Sequence, residues 1–495
     1  MSEIFCSQVS RVGKTKRGNC ANSAPSFKHS KLIVSLAIVA LASTLIVAGG
    51  CQGVSSAGNA PKNVPPSPSY PVPNPGATGS YFGMLTNNLS SPWPGVTIPV
   101  SSWRSLGASV KWADLDTSPN SPPDFSRLDQ WLGLAEQSGT DVMFTMYATP
   151  SWASLHGMNS SSPNTFCAFQ QQNGPGICDP PDDLSCNGSG TDQHFKNFVS
   201  ALINHLGPGK IKYWEMWNEP NIQKEWSGDV DCPSVPHAGV LMLARMAQDM
   251  REIVLAVDPN AKFTAPAATL DPEAATWLQE YLAYSNGANF ADIMTFHGYV
   301  STSCPGTTCP EMVADQIDRV NKVISGFPSA QGKPLFDTEG DWGPPGTVTD
   351  PDQQASYVAR YYLMQMWKGV AKSYWWNWDI SDEGAFYDDS SHSLNPAGNA
   401  YVQIVRWTNG GTAMVGPCST DATVTTRWTC AVQSPGGAQA EAIWDTSQTC
   451  AAGNCSTSSV PVSAAFSSYL DLSGNQAPVA NQSVPVGLKP IFLVQ

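Results

Sequence analysis

The chain has 495 residues, enough for one large domain and a smaller accessory one. Hydrophobic residues make up 41% of it and charged residues only 13%, which predicts a sizeable core and excludes a largely disordered protein. The formal net charge is −14. Residues 1–31 are basic with a net charge of +5, so the remainder carries −19. This acidity argues against nucleic acid as a partner, because phosphate binding needs clustered Lys and Arg.

The N-terminal segment has the three parts of an export signal. The basic stretch is followed by the apolar run 32–47 and then by Ala48-Gly49-Gly50-Cys51. We predict an export signal over residues 1–51, with Cys51 as the lipidated residue of a lipoprotein. An uncleaved signal anchor or an ordinary signal peptide is the alternative. In either case the protein is expected to be exported, anchored to the cell envelope or secreted, and to touch a membrane only through this segment.

Residues 52–79 are rich in Pro, Ser, Gly and Asn and show no apolar periodicity. This composition predicts a semi-extended linker to the folded part of the chain.

The chain contains 13 cysteines, of which ten follow Cys51. An even number in an exported chain predicts disulfides, and neither CxxC pairs nor clustered histidines suggest a metal site instead. The close pairs are Cys304/Cys309, Cys418/Cys430 and Cys450/Cys455. Four further cysteines are expected to form two bridges of undetermined connectivity: Cys167, Cys178, Cys186 and Cys232.

From Tyr81 onward, short apolar runs alternate with segments of helical apolar spacing. Eight strands alternating with helices predict an α/β fold, a (β/α)8 TIM barrel over residues 80–404. An open doubly wound sheet is the alternative, but no glycine-rich phosphate loop follows the first strand. The predicted strands are Tyr81–Leu85, a second around Val110–Trp112 or just before it, Asp141–Tyr147, Ile211–Trp217, Lys262–Pro266, Asp292–His297, Pro334–Thr338 and Ser373–Trp378. The predicted helices are Phe125–Gln137, His194–Leu206, Gly239–Val257, Glu273–Tyr284, Met312–Ile324 and Gln354–Trp367.

Two further segments differ from this alternation. The segment Leu155–Asp192, with its cysteines and many polar residues, is predicted to be an insertion that covers the cleft. Residues 405–495 consist of short alternating runs broken by Gly, Asn and Pro. They predict a small antiparallel β-sandwich packed on the barrel, with a separate carbohydrate-binding module as the alternative.

Two glutamates follow predicted strands in settings that suggest glycosidic bond cleavage. Glu219 stands in Trp-Asn-Glu-Pro after the fourth strand, and Glu339 ends the seventh. Active sites of barrels lie at the carboxyl ends of the strands, and glycoside hydrolysis needs two carboxyl groups there. Asp337 and Asp341 are alternatives to Glu339, and Asp337 should share its face by strand alternation. Glu215, deeper in the barrel, is predicted to be structural.

These motifs resemble the large clan of retaining glycoside hydrolases with barrel folds. Within that clan, the segments YFGM, VKWADLD, ATPSWAS and YWEMWNEPN are most similar to family 39. Family 5 is the nearest competitor, because it shares the motif after strand four and a His-x-Tyr after strand six. The resemblance covers roughly residues 81–378.

The resemblance implies roles for individual residues. Glu219 would be the general acid/base and Glu339 the nucleophile. Asn218 would hydrogen-bond the 2-hydroxyl of the sugar.

It also implies four residues around this pair. His297 and Tyr299 would flank the nucleophile after strand six, and Trp376 after strand eight would stack under a sugar ring. Arg104 would be the arginine of strand two that hydrogen-bonds the nucleophile.

The predicted function is therefore that of a retaining glycoside hydrolase acting on a β-linked carbohydrate, without cofactor or metal. The alternative is a catalytically silent glycan-binding protein at the cell surface. The abundance of tryptophan, 17 residues, mildly favours endo action on a polysaccharide.

Overall fold

The computed structural model of the protein describes residues 80–157, 167, 174–270, 272–300, 309–343, 347–380 and 384–495. The predicted export signal and linker lie outside these residues. Within the described ranges, no helix is long and apolar enough to cross a membrane.

Eight short parallel strands form the central sheet: β1 (Phe82–Leu85), β2 (Ser102–Arg104), β3 (Asp141–Met146), β4 (Tyr213–Met216), β5 (Lys262–Thr264), β6 (Met294–His297), β7 (Leu335–Gly340) and β8 (Lys372–Trp375). Their order is β5-β4-β3-β2-β1-β8-β7-β6. One parallel bridge between Thr264 and Ile293 joins the two ends of the sheet. The sheet therefore closes nearly completely into a barrel, as predicted.

Helices surround the barrel and bury one face each against it. In the helix Met312–Ser325, for example, Val313, Ile317, Val320 and Ile324 recur at helical spacing and are all buried. The helices are α1 (Pro94–Thr97), α2 (Trp112–Leu115), α3 (Ser126–Ser138), α4 (Gln193–Leu206), α5 (Gly228–Asp231), α6 (Ala238–Val257), α7 (Glu273–Tyr284), α8 (Met312–Ser325), α9 (Pro351–Trp367) and α10 (Pro396–Trp407).

The second strand lies before the apolar run Val110–Trp112 and not within it. It is Ser102–Arg104, which places Arg104 on strand two as predicted, and the run Val110–Trp112 leads into the short helix α2. The physical reason is packing against a helix: Trp112 is fully buried and stacks on Phe198 of α4 at 5.6 Å between ring centroids. The other seven predicted strands and all six predicted helices agree with the structure within three residues.

The C-terminal part consists of antiparallel sheets, as predicted. The strands that follow α9 are β9 (Tyr387–Asp388), β10 (Ser393–Leu394), β11 (Met414–Thr420), β12 (Arg427–Gln433), β13 (Gln439–Asp445), β14 (Cys450–Ala451), β15 (Asn454–Cys455), β16 (Thr457–Pro461), β17 (Ser468–Leu470), β18 (Gln476–Pro478), β19 (Ser483–Gly487) and β20 (Ile491–Val494). The hairpin β9–β10 precedes α10.

The larger C-terminal sheet has the order β11-β12-β13-β20-β17-β18, and β16 pairs with β19 beside it. Buried Ile443, Val460, Val486 and Leu493 form a small core shared by these strands.

The carboxylate of Glu311 joins these sheets to the barrel helices. Arg360 of α9 donates two hydrogen bonds to it, both at 2.7 Å, and the indole of Trp444 in β13 donates a third at 2.7 Å. The two parts of the fold therefore share a buried polar contact. The predicted boundary between residues 404 and 405 falls inside α10, and the division into two domains stays a prediction.

Four disulfides have both cysteines within the described ranges: Cys167–Cys178, Cys186–Cys232, Cys418–Cys430 and Cys450–Cys455. Cys309 is also disulfide-bonded, and its predicted partner Cys304 lies outside the described residues. Disulfides of this number indicate an extracellular environment.

A buried carboxyl at the start of α4 should make stability depend on pH. Neither carboxylate oxygen of Asp192 has a hydrogen-bond donor in the described part of the chain. Burial and the nearby carboxylates of Asp249 and Asp183 raise the pKa of Asp192 to about 9. The folded state therefore holds a proton that the unfolded chain releases above about pH 4, so stability should fall as pH rises from about 4 to 9.

We expect Asp192→Asn, which is neutral at every pH, to raise the melting temperature at pH 8 by a few degrees and to flatten its pH dependence. Melting curves of both proteins between pH 4 and 9 test this. Asp315→Asn, at an exposed position, is the control. An Asp192→Asn curve that parallels the parent curve would contradict the assignment.

Candidate active site

Polar side chains from four strand ends converge at one mouth of the barrel. Arg104 ends β2, Glu219 follows β4, His297 ends β6 and Glu339 lies in β7. Because all eight strands are parallel, their carboxyl ends meet there. The structure thus brings together the residues that the sequence analysis selected.

Glu339 is almost completely buried and accepts hydrogen bonds at both carboxylate oxygens. Arg104 Nη1 donates to Oε2 at 2.7 Å, and the Tyr299 hydroxyl donates to Oε1 at 2.8 Å. Two donors of this kind stabilise the ionised carboxylate and fix its orientation.

Asp337, the alternative to Glu339, points elsewhere. Its Oδ2 accepts hydrogen bonds from Tyr361 at 2.7 Å and from Gln365 at 2.6 Å, both residues of α9. Strict alternation would place Asp337 and Glu339 on one face, but the pairing of β7 with β8 shifts register between Asp337 and Gly340. This irregularity separates the two carboxylates. The other alternative, Asp341, lies beyond the strand, and its Oδ1 accepts from the backbone N–H of Gly343 at 2.5 Å.

Glu219 is held in an unusual stretch of backbone. Glu219 and Trp217 both have positive φ, 40° and 62°, a conformation that costs free energy and persists where packing enforces it. Here the Trp217 indole donates to the carbonyl of Glu225 at 2.9 Å, and its ring packs edge-on against Trp226 at 4.5 Å. The tight turn directs Glu219 across the barrel mouth.

The carboxyl of Glu219 contacts the strand β6 side of the mouth. Its Oε1 lies 2.8 Å from His297 Nδ1 in a hydrogen bond, and the Thr269 hydroxyl forms another. One carboxylate oxygen of Glu219, one of Glu339 and a ring nitrogen of His297 all lie within 4.8 Å of one another. The two glutamates therefore face each other at short range, and these three residues are also a group that could hold a cation.

Arg104 links the two glutamate-bearing strands. Its Nε donates to Glu215 at 2.7 Å, its Nη1 to Glu339 at 2.7 Å and its Nη2 to Asn218 Oδ1 at 2.9 Å. Glu215 also accepts from the Thr145 hydroxyl at 2.7 Å and is fully buried, in line with its predicted structural position. One guanidinium thus fixes three neighbours at once.

Burial has the largest effect on the pKa values of the titratable groups in this site. It raises the pKa of Glu219 to about 7, against the hydrogen bond of Thr269 and the charge of Arg104. It also raises the pKa of Glu339, against the effects of His297, Arg104 and Tyr299. Burial lowers the pKa of His297 to about 4, so this imidazole is neutral at pH 7. Of the two glutamates, Glu339 has the guanidinium partner and is the one better stabilised as a carboxylate.

Trp376 is the remaining predicted residue. It directly follows β8, its side chain is partly exposed, and its backbone N–H donates to the carbonyl of Gly340 at 3.1 Å. It therefore lies beside the end of β7, close to the mouth.

Sequence reasoning missed Glu225, in the loop after β4. Its Oε2 is buried and has no hydrogen-bond partner within the described ranges, while its carboxyl accepts from Asn218. Burial and the nearby charge of Glu219 raise its pKa well above the usual value. In the sequence, Glu225 looks like a solvent-exposed loop glutamate. The one available signal is its position six residues after Glu219, in the loop that follows β4.

Comparisons with known proteins bear on the fold. No protein-family model matches the sequence, and no curated protein is significantly similar to it. Among solved structures, a family 39 glycoside hydrolase from the gut symbiont Bacteroides cellulosilyticus WH2 is similar with a TM-score of 0.59 at 14% identity, over 84% of this chain and 81% of that one.

Two further structures are similar at comparable identity. A family 30 endoxylanase from Clostridium papyrosolvens C71 has a TM-score of 0.51 at 13% identity, over 84% of this chain and 97% of that one. A glucosidase from Croceicoccus marinus has a TM-score of 0.50 at 14% identity, over 85% and 98%. At these identities the likeness concerns the fold alone: the chain has the barrel fold that these glycoside hydrolases share.

Proposed function

We propose that the protein is a retaining glycoside hydrolase that cleaves O-glycosidic bonds of a β-linked oligo- or polysaccharide by double displacement. The observation that carries the proposal is the spacing of Glu219 and Glu339, whose nearest carboxylate oxygens lie within 4.8 Å. Retaining enzymes place their two carboxyl groups about 5–5.5 Å apart, whereas inverting enzymes leave about 6.5–9.5 Å for a water molecule. The short spacing supports direct attack by a carboxylate.

In the first step, the Glu339 carboxylate attacks the anomeric carbon while Glu219 protonates the leaving glycosidic oxygen. In the second step, Glu219 accepts a proton from the water that hydrolyses the covalent glycosyl-enzyme. Arg104 and Tyr299 hold Glu339 in place for the attack. A pKa of about 7 for Glu219 suits a group that must give and take a proton near neutral pH.

Sugar contacts follow from the same geometry. Arg104 donates to the side-chain oxygen Oδ1 of Asn218. The side-chain nitrogen of Asn218 is therefore directed away from Arg104 and can donate to a sugar 2-hydroxyl. The partly exposed ring of Trp376 offers a surface for stacking under a pyranose. The sequence motifs favour family 39.

We infer a positioning role for Glu225. Arg104 fixes the oxygen of Asn218, and Glu225 accepts from its amide group, so the two together set the orientation of this amide.

The first prediction concerns the two glutamates. We expect the full-length chain to release reducing sugar from at least one β-linked polysaccharide in a plant and microbial panel. Glu339→Gln should abolish this release, and Glu219→Gln should lower kcat by about 10²–10⁴-fold. Glu136→Gln, at an exposed position, is the control.

Rescue by azide distinguishes the acid/base role of Glu219 from the nucleophile role of Glu339. Added azide should restore turnover of an aryl glycoside with a good leaving group by Glu219→Gln, because azide replaces the activated water of the second step. Binding of a polysaccharide without cleavage by the unmodified protein would instead indicate the silent glycan-binding alternative.

The second prediction concerns pH. The acid form of Glu219 is needed for the first step, so kcat/KM should fall as pH rises through about 7. It should also fall at low pH, where Glu339 becomes protonated, which gives a bell-shaped profile belonging to the coupled pair. In Glu219→Gln, assayed with an activated aryl glycoside, the alkaline limb should disappear. An unchanged alkaline limb in this variant would contradict the assignment of Glu219.

The third prediction concerns Glu225. Glu225→Ala should leave the side-chain amide of Asn218 without one partner and so raise KM. We expect kcat/KM to fall by roughly 2- to 10-fold or more, which corresponds to the free energy of one or two hydrogen bonds. Glu225→Gln, which keeps the shape and one acceptor, should recover part of this loss. Michaelis–Menten kinetics at two pH values test this, and identical KM values in all three proteins would contradict the inferred role.

A further inference from the structure

A second cluster of polar side chains lies outside the active site. His156 follows β3 in the predicted insertion, Asp179 lies later in that insertion, and Asp231 ends α5 in the loop after β4. One potential ligand atom from each lies within 4.8 Å of the others. The cluster therefore joins two separate segments of the chain.

The two carboxylates of this cluster are buried, so their negative charges need a compensating partner. The side chain of Asp231 is fully buried and that of Asp179 is 1% exposed, while His156 is 24% exposed. Two carboxylates held together away from water repel each other unless a proton or a cation lies between them.

The two carboxylates of the cluster share one serine hydroxyl. The Ser227 hydroxyl lies 2.6 Å from Asp179 Oδ1, 2.7 Å from Asp231 Oδ2 and 3.0 Å from the carbonyl of Cys178. A hydroxyl has one hydrogen and can donate to only one of these acceptors. Asp231 Oδ1, directed at His156, is buried without a hydrogen-bond donor within the described part of the chain.

Two of the distances between potential ligand atoms are close to those found in a tetrahedral zinc site. His156 Nδ1 lies 3.0 Å from Asp179 Oδ2 and 3.5 Å from Asp231 Oδ1. Zinc bonds to nitrogen and oxygen are about 2.0–2.2 Å long, and two such bonds at a tetrahedral angle place their donor atoms about 3.3 Å apart. One imidazole with two carboxylates suits Zn²⁺ better than Ca²⁺, which prefers oxygen ligands.

Disulfides fix both carboxylates before any ion arrives. Asp179 is adjacent to Cys178 of the Cys167–Cys178 bridge, and Asp231 is adjacent to Cys232 of the Cys186–Cys232 bridge. Such preorganisation lowers the entropy lost on binding. We propose that His156, Asp179 and Asp231 form a structural Zn²⁺ site that fastens the insertion after β3 to the loop after β4, independently of the catalytic proposal.

The test is zinc binding by the full-length chain after treatment with EDTA and desalting. We expect titration calorimetry with ZnCl2 to show one more equivalent of zinc in the parent protein than in Asp231→Asn, which keeps the shape and removes the charge. ZnCl2 should also raise the melting temperature of the parent protein by several degrees, and CaCl2 should raise it less. The difference from Asp231→Asn separates this site from zinc binding at Glu219, His297 and Glu339.

Two further variants complete the comparison. Asp182→Asn, which removes an exposed partner of His194 in the same insertion, should behave like the parent protein. His156→Gln, at the most exposed ligand, should lose the same equivalent and gives the comparison if Asp231→Asn does not fold. Full zinc stoichiometry and an unchanged thermal shift in His156→Gln would overturn the proposal.

Discussion

The guanidinium of Arg104 is the interaction on which the site depends. It is fully buried, and its three hydrogen bonds reach Glu215, Asn218 and Glu339 on two strands that stand apart in the barrel. A guanidinium stays charged at any physiological pH, so it offers both buried carboxylates a permanent cationic hydrogen-bond partner. Without it, Glu215 and Glu339 would lose this partner, and the arrangement of the mouth would be lost.

The carboxyl groups of Glu219 and Glu339 have different hydrogen-bond donors. Glu339 has Arg104 and Tyr299, whereas Glu219 has a neutral imidazole and a hydroxyl. The same low-polarity surroundings therefore favour the ionised form in one glutamate and the protonated form in the other. This asymmetry between chemically identical side chains is what a two-step acid/base cycle needs.

Much of this site could be predicted because the ends of the strands can be recognised in the sequence. Glu219 and Glu339 each follow an apolar run, and parallel strands place such residues at one mouth. The second strand could not be located by its apolar pattern, because Val110–Trp112 is as apolar as a strand but is buried against α4. The separation of Asp337 from Glu339 could not be predicted either, since it results from a local register shift in β7. Glu225 and the cluster around His156 depend on how loops fold back, which short-range patterns do not encode.

The pairing of the first barrel strand has a consequence for how the chain folds. Gly83 of β1 pairs with Tyr374 of β8, so the ring closes only when the last strand is available. Nearly three hundred residues must be made before the first strand has both neighbours, and the closing contact carries a large loop entropy. Until then β1 and its neighbours present open edges that invite pairing with other chains. The molecule is therefore most vulnerable to aggregation during synthesis, and least so once the ring is complete.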